Sequence, residues 1–256
     1  MSETPLKVWL DHDGKLLRLR LSRPKANIVD ALMIAALRGA LDEHLSNVRL
    51  RGVLLDAEGP HFSFGASVDE HLPESCAEML HQLHALILQM VESCVPILVA
   101  VRGQCLGGGL EVAAAGHLIF AAPGAMLGQP EVKLAVFAPA ASCLLTEKIG
   151  QSLAEDLLFS GRSIGAEEAH RIGLVNVVAE DPEQAALGYF QEFLAPLSAS
   201  SLRFAVRAAR LTVNERIKFK LAAVEKMYLE ELMASHDAVE GLTAFIAKRP
   251  AVWEDR

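Results

Sequence analysis

The chain reads as a mixed α/β body that runs out into a helical C-terminal extension, and three observations predict this. Short strand-like runs alternate with helix-period apolar stripes in a loose strand–strand–helix rhythm. From Asp181 onward the pattern is nearly all helical, which places the boundary between body (1–190) and extension (191–256) near residue 190. At 256 residues, with 52% hydrophobic and 22% charged residues, the chain can bury a substantial core as one large domain or one domain with an appendage.

Residues 7–10 and 16–21 are strand-like runs around Asp13-Gly14, a hairpin-turn signal. Asp30 is placed to cap a helix on which Ile34, Leu37, Leu41 and Leu45 share one face. Residues 52–56 read as a buried strand, followed by a Gly/Pro/Ser-bearing loop over 57–73. A long helix follows, with Met79, Leu83, Leu86 and Met90 as its apolar stripe. Residues 96–101 form the next strand, and a helix starts near Gly107. Residues 117–121 and 125–127 read as short strands, and helices take over at about Ala140. Ile217, Leu221, Val224, Tyr228 and Leu232 line up along one long C-terminal helix. Such a stripe on an extension must pack on its own body or on a neighbouring subunit, so oligomerisation is expected.

The formal net charge of -8 disfavours nucleic acid or an anionic membrane as a general partner. No apolar run reaches the ~18 residues of a membrane span, and the opening Met1-Ser2-Glu3-Thr4-Pro5 lacks the marks of a secretory signal. Cys76, Cys94, Cys105 and Cys143 show no CxxC pairing, and the nine histidines are scattered. Reduced thiols, a cytoplasmic location and no metal or redox cofactor are expected.

Two carboxylates carry the chemistry. In Gly107-Gly108-Gly109-Leu110-Glu111, glycines at a strand-to-helix junction let a ligand meet the main chain without a Cβ. The first N–H groups of a helix lack internal partners, so the Gly108 N–H can hold a developing oxyanion, with Glu111 on the same face. A glycine-rich turn followed by a solvated glutamate is the plainer alternative. The loop His61-Phe62-Ser63-Phe64-Gly65-Ala66-Ser67 can turn the Ala66 N–H toward the same oxygen, or be an ordinary surface turn. His61 itself reads as exposed or structural. Gly128-Gln129-Pro130-Glu131 puts a second carboxylate after a proline-fixed turn.

Taken together, Arg23-Pro24-Lys25-Ala26-Asn27, the Phe62-to-Val68 loop, Val101-Arg102-Gly103 through Glu111, and Gly128-Gln129-Pro130-Glu131 resemble the enoyl-CoA hydratase (crotonase) superfamily along nearly the whole chain. The resemblance implies a crotonase-like spiral of ββα units with a helical C-terminal trimerisation region, and trimers that can pair into hexamers. It implies an acyl-CoA thioester as substrate, coenzyme A being part of that substrate and not a separate cofactor. Carried over by residue, Ala66 and Gly108 match the oxyanion-hole donors, and Glu111 and Glu131 match the paired glutamates of true hydratases. Having both implies water addition or its reverse, with Glu131 mainly the acid and Glu111 mainly the base. Lys25 is a candidate for the CoA phosphates, or else a solvated surface lysine.

Residues 23–30 and 62–68 resemble one subgroup closely, the hydratases of cyclohexa-1,5-diene-1-carbonyl-CoA in anaerobic benzoyl-CoA breakdown. That likeness implies 6-hydroxycyclohex-1-ene-1-carbonyl-CoA as product. Phe64, Val68, Phe137 and Ala138 are the expected ring-facing residues, each of which can equally be core. The rival readings are a straight-chain enoyl-CoA hydratase, a double-bond isomerase, a ring hydrolase, and a non-catalytic CoA- or RNA-binding relative. Arg203, Arg207 and Arg210 form a basic stripe at helical spacing, best used as a solvated face or subunit contact.

Overall fold

The computed structural model describes residues 4–256, so residues 1–3, on which the secretory-signal reading partly rests, lie outside the described residues. Strand β1 (Leu6–Asp11) pairs antiparallel with β2 (Leu16–Leu21). His12, Asp13 and Gly14 take left-handed φ values of 50°, 57° and 78° between them, so the Asp-Gly signal sits in a longer turn of consecutive left-handed residues. The chain continues through α1 (Ala31–His44), β3 (Gly52–Ala57), α2 (Cys76–Val91), β4 (Ile97–Val101), β5 (Gln104–Leu106), α3 (Gly108–Ala115), β6 (Leu118–Ala121) and β7 (Met126–Gly128). After these come α4 (Pro139–Ile149), α5 (Gln151–Ser160), β8 (Ser163–Gly165), α6 (Ala166–Arg171), β9 (Val177–Val178), α7 (Pro182–Tyr189), α8 (Ala199–Glu230) and α9 (His236–Ile246).

Six strands form one sheet in the order β1-β2-β3-β4-β6-β9, parallel from β2 onward, and β5-β7-β8 form a second. Parallel strands covered on both sides read as continuous apolar runs, and alternate residues here serve two cores. Val53, Leu55, Ile97, Val99 and Ile119 join the main core with α1, α2 and α3, whereas Leu54, Leu98 and Phe120 pack with Phe190 and Leu194.

The helix stripes behave as their spacing predicts. Asp30 caps α1, its Oδ1 accepting the Met33 N–H at 3.0 Å, and Ile34, Leu37 and Leu41 are buried. Helix α2 buries Met79, Leu83, Leu86 and Met90. On α8 Ile217, Leu221 and Tyr228 are buried, but the helix ends at Glu230, so Leu232 belongs to a following 3-10 turn. The strands β5, β8 and β9, at two or three residues each, are too short to show a period of two in the sequence.

One buried ion cluster clips the sheet to α7. Arg18 and Asp56, each only 4% exposed, pair at 3.0 Å, and Arg20 and Glu183 complete the set at 2.6 Å to Asp56 and 2.7 Å to each other. The guanidinium of Arg18 also lies 4.9 Å from the Trp9 ring centre. Among the described residues no helix is long and apolar enough to cross a membrane. The four cysteines are free, three of them buried.

Candidate active site

The loop after β3 is stitched to the chain on both sides. Asn27, buried and at φ 45°, donates through Nδ2 to the carbonyls of Glu58 and His61 at 2.9 and 3.0 Å. Further along, Val29 N–H donates to Gly65 O at 2.9 Å, Ser63 N–H to Gln104 O at 3.0 Å, and Leu106 N–H to Ser63 O at 3.0 Å. Single parallel bridges, Val29 to Ala66 and Ser63 to Cys105 of β5, thereby hold the segment leading to Ala66. His61 is structural, its Nδ1 accepting the Gln104 N–H at 3.1 Å.

This pairing brings Ala66 against the start of α3. A methyl group at Gly108 would stand 3.1 Å from the Ala66 nitrogen. The Gly108 N–H is the first of the helix and has no intrahelical acceptor. Among the described residues neither the Ala66 nor the Gly108 N–H donates a hydrogen bond. Two free donors therefore sit side by side at the positive end of a helix dipole. Gly107, at φ 50°, leaves no room for a side chain: a Cβ there would meet Glu131 Oε1 at 2.6 Å.

Glu111 is 3% exposed, and its Oε1 accepts the Ala141 N–H at 2.8 Å. Ala141 lies in the first turn of α4, so that helix also points its positive end at the carboxylate. Burial pushes the Glu111 carboxyl up, against the pull of the Ala141 N–H, of His84 and of the Ala140 N–H. Glu131 sits in the 3-10 turn Pro130–Leu134 after β7. Burial, and then the neighbouring Glu111 charge, push its carboxyl up to about 8. The buried Gln129 amide, turned with its nitrogen toward Glu131, donates to both carboxylate oxygens at 3.1 and 3.0 Å. Within this buried site the Glu111 charge thus opposes ionisation of Glu131.

A cavity of about 260 Å³ gathers these groups: Ala66, Gly108, Glu111 and Glu131 all line it. Phe64, Val68, Phe137 and Ala138, the expected ring-facing residues, line it as well. Lys25 is exposed and is not among the lining residues. The wall also includes Leu80 and Leu83 from α2 and Leu242 and Phe245 from α9. Their periodicity marks them as apolar faces but not as walls of this cavity. Arg203 of the basic stripe turns inward, its guanidinium donating to Leu45 O at 3.2 Å and Asn47 O at 2.7 Å. Among the described residues no group of three or more His, Cys, Asp or Glu is placed to hold a metal ion.

The family model for enoyl-CoA hydratase/isomerase matches residues 11–256. The chain belongs to the enoyl-CoA hydratase/isomerase family. It is 71% identical, over the full length of both chains, to cyclohexa-1,5-dienecarbonyl-CoA hydratase of Thauera aromatica. It is 30% identical, again over 100% of both chains, to carnitinyl-CoA dehydratase of Salmonella typhi. The crystal structure of an enoyl-CoA hydratase/isomerase from Pseudoalteromonas atlantica T6c superposes with a TM-score of 0.84 at 29% identity, covering 97% of this chain and 99% of that one. The α/β body with its C-terminal helices is therefore the crotonase fold.

Proposed function

We propose that this hydro-lyase adds water to cyclohexa-1,5-diene-1-carbonyl-CoA, giving 6-hydroxycyclohex-1-ene-1-carbonyl-CoA. The observation that carries the chemistry is the convergence of Glu111, Glu131 and the unengaged Ala66 and Gly108 N–H groups on one cavity. The ring substrate is supported by the 71% identity to a hydratase of that name. It is also supported by the broad apolar wall of Phe64, Val68, Leu80, Leu83 and Phe137.

In this reading the thioester oxygen lies between the Ala66 and Gly108 amides, and a water lies between the two carboxylates. Glu111, the base, takes a proton from that water as its oxygen bonds to the ring carbon β to the thioester. The displaced electron pair gathers on the thioester oxygen, where the two donors stabilise it; losing one such donor typically costs ~3 kcal/mol. The pair then passes into the second double bond, whose far carbon takes a proton from Glu131. The remaining double bond ends up against the thioester-bearing carbon, which is the arrangement in the named product. Substrate plus water gives product, and the pair regains its starting state when the proton moves from Glu111 back to Glu131.

Assembly into trimers, or hexamers as pairs of trimers, through residues 191–256 is part of the proposal. Its support is the exposed apolar surface of the helical region, including Phe204 at 64% and Phe219 at 81% exposure. Lys25 is proposed as a CoA phosphate partner at the surface. The test is to assay the purified protein on the cyclic dienoyl-CoA beside crotonyl-CoA, with light scattering for the assembly. Hydration of the cyclic thioester with the larger kcat/KM is expected; preference for crotonyl-CoA, or no hydration of either, would overturn the assignment.

A further inference from the structure

One wall of the cavity comes from outside the α/β body that carries the catalytic groups. Leu242 and Phe245 belong to α9, close to the C-terminus. On this helix Ala238, Gly241, Leu242 and Phe245 fall at positions i, i+3, i+4 and i+7, and so share its inward face. Gly241 is buried, and a Cβ on it would run into the Leu134 carbonyl, in the turn that also carries Glu131. The missing side chain is what lets the helix lie this near. The helix is also tied from behind. Glu240 accepts two bonds from Arg249, at 2.6 and 2.7 Å, and the Val252 N–H at 2.8 Å. Asp237 accepts the N–H groups of Glu254 and Asp255, each at 2.8 Å. The chain after α9 thus folds back along it, and Trp253 comes within 3.2 Å of a Cβ placed on Gly241. Phe245 is the thin part of this wall. Leu242 is 1% exposed, but Phe245 lines the cavity while 55% exposed. One face of its ring bounds the cavity and the rest turns away from the body, so the ring by itself is the partition at that point.

Resting on the reading of this cavity as the acyl site, we propose that α9 sets the size of the acyl group accepted, with Phe245 as the residue that stops it. The other walls are not free to vary. Leu80 and Leu83 belong to the main core, and α3 and the Pro130–Leu134 turn carry the carboxylates themselves. Phe245 has neither duty, so its bulk can follow the substrate while the reacting groups keep their places. With a phenyl ring at 245 a short or cyclic acyl group fits, and an extended chain meets the ring before it is fully seated. Without the ring, the further methylenes of a straight chain gain a passage beside apolar side chains. Each methylene so buried is worth about fourfold in affinity.

The experiment measures dissociation constants of butyryl-, octanoyl- and decanoyl-CoA by calorimetry for the intact protein, Phe245→Ala, Phe245→Trp and Gly241→Ala. Rates on crotonyl-CoA and trans-2-decenoyl-CoA accompany them, with circular dichroism to verify folding. In Phe245→Ala the affinity for decanoyl-CoA relative to butyryl-CoA should rise by ~tenfold or more, and the ratio of the two kcat/KM values should move the same way. Phe245→Trp keeps the stop and should retain the parent's preference for the short chain. Gly241→Ala, in which α9 must draw back from Leu134, should relax that preference by less; if it does not fold, the two Phe245 variants decide. A folded Phe245→Ala with the parent's preference would overturn the role of Phe245. So would an equal gain for all three thioesters, the mark of a residue at the entrance. Either result leaves the hydratase reading standing. An intact protein that binds none of the thioesters would remove the reading of the acyl site, and this role with it.

Discussion

The sharpest prediction concerns the proton on Glu131. Its carboxyl is raised to about 8, by burial first and by the Glu111 charge second. In the proposed mechanism it is the proton donor, so the active form is the protonated one, present below pH 8 and lost above it. At pH 7 about nine-tenths of the free enzyme carries the proton, and at pH 9 about one-tenth. Beyond the midpoint kcat/KM should fall tenfold for each further pH unit. The assay is the initial rate of hydration of the cyclic dienoyl-CoA between pH 6 and 9.5, for the intact protein and for Glu131→Gln. The substitution keeps the shape of the side chain and removes its proton, so the rate should drop by at least ~10²-fold, the scale of general acid catalysis. The residual rate should also lack the alkaline limb. A parent rate that is flat through pH 9.5, or a residual rate in the variant that bends at the same pH, would show that the limb belongs to another group.

Two other substitutions test the framework around the pair. Gly107→Ala places a methyl 2.6 Å from Glu131 Oε1 at a left-handed φ of 50°; a shift of the carboxylate by about 1 Å should lower kcat by ~10²-fold, with a loss of ~1 kcal/mol in urea unfolding from the backbone strain. Asp56→Ala removes one partner each of Arg18 and Arg20 but leaves Glu183 paired with both, so urea unfolding should show a loss of ~1–3 kcal/mol, while kcat of the folded fraction stays near that of the parent.

Much of the site was legible because its parts are local. The glycine run needs only the absence of side chains at a helix start, and the Pro130-Glu131 turn needs only its own ring. Their order along the chain carried the likeness to a family, and with it the pairing of Glu111 with Glu131. Lys25 is exposed and lies outside the cavity lining, so its proposed contact with the CoA phosphates rests on the motif alone. A lysine beside a matching motif says nothing about where its long side chain points. The environment of the carboxylates was not legible either. Nothing in the run Pro139-Ala140-Ala141 announces that its amide will bond to Glu111, and Gln129 reads as turn filler until its amide is seen against Glu131.

Local chemistry thus determined which groups this chain could bring to a reaction: two carboxylates, two main-chain donors, and the helix and strand periods that deliver them. Tertiary structure decided how those groups behave, because desolvation and electrostatic coupling depend on residues far away in sequence. Glu225 lies 141 positions beyond the His84 it clasps, and α9, at the far end of the chain, closes the cavity with Leu242 and Phe245. A carboxyl becomes an acid of pKa about 8 only when such distant segments have excluded water from it.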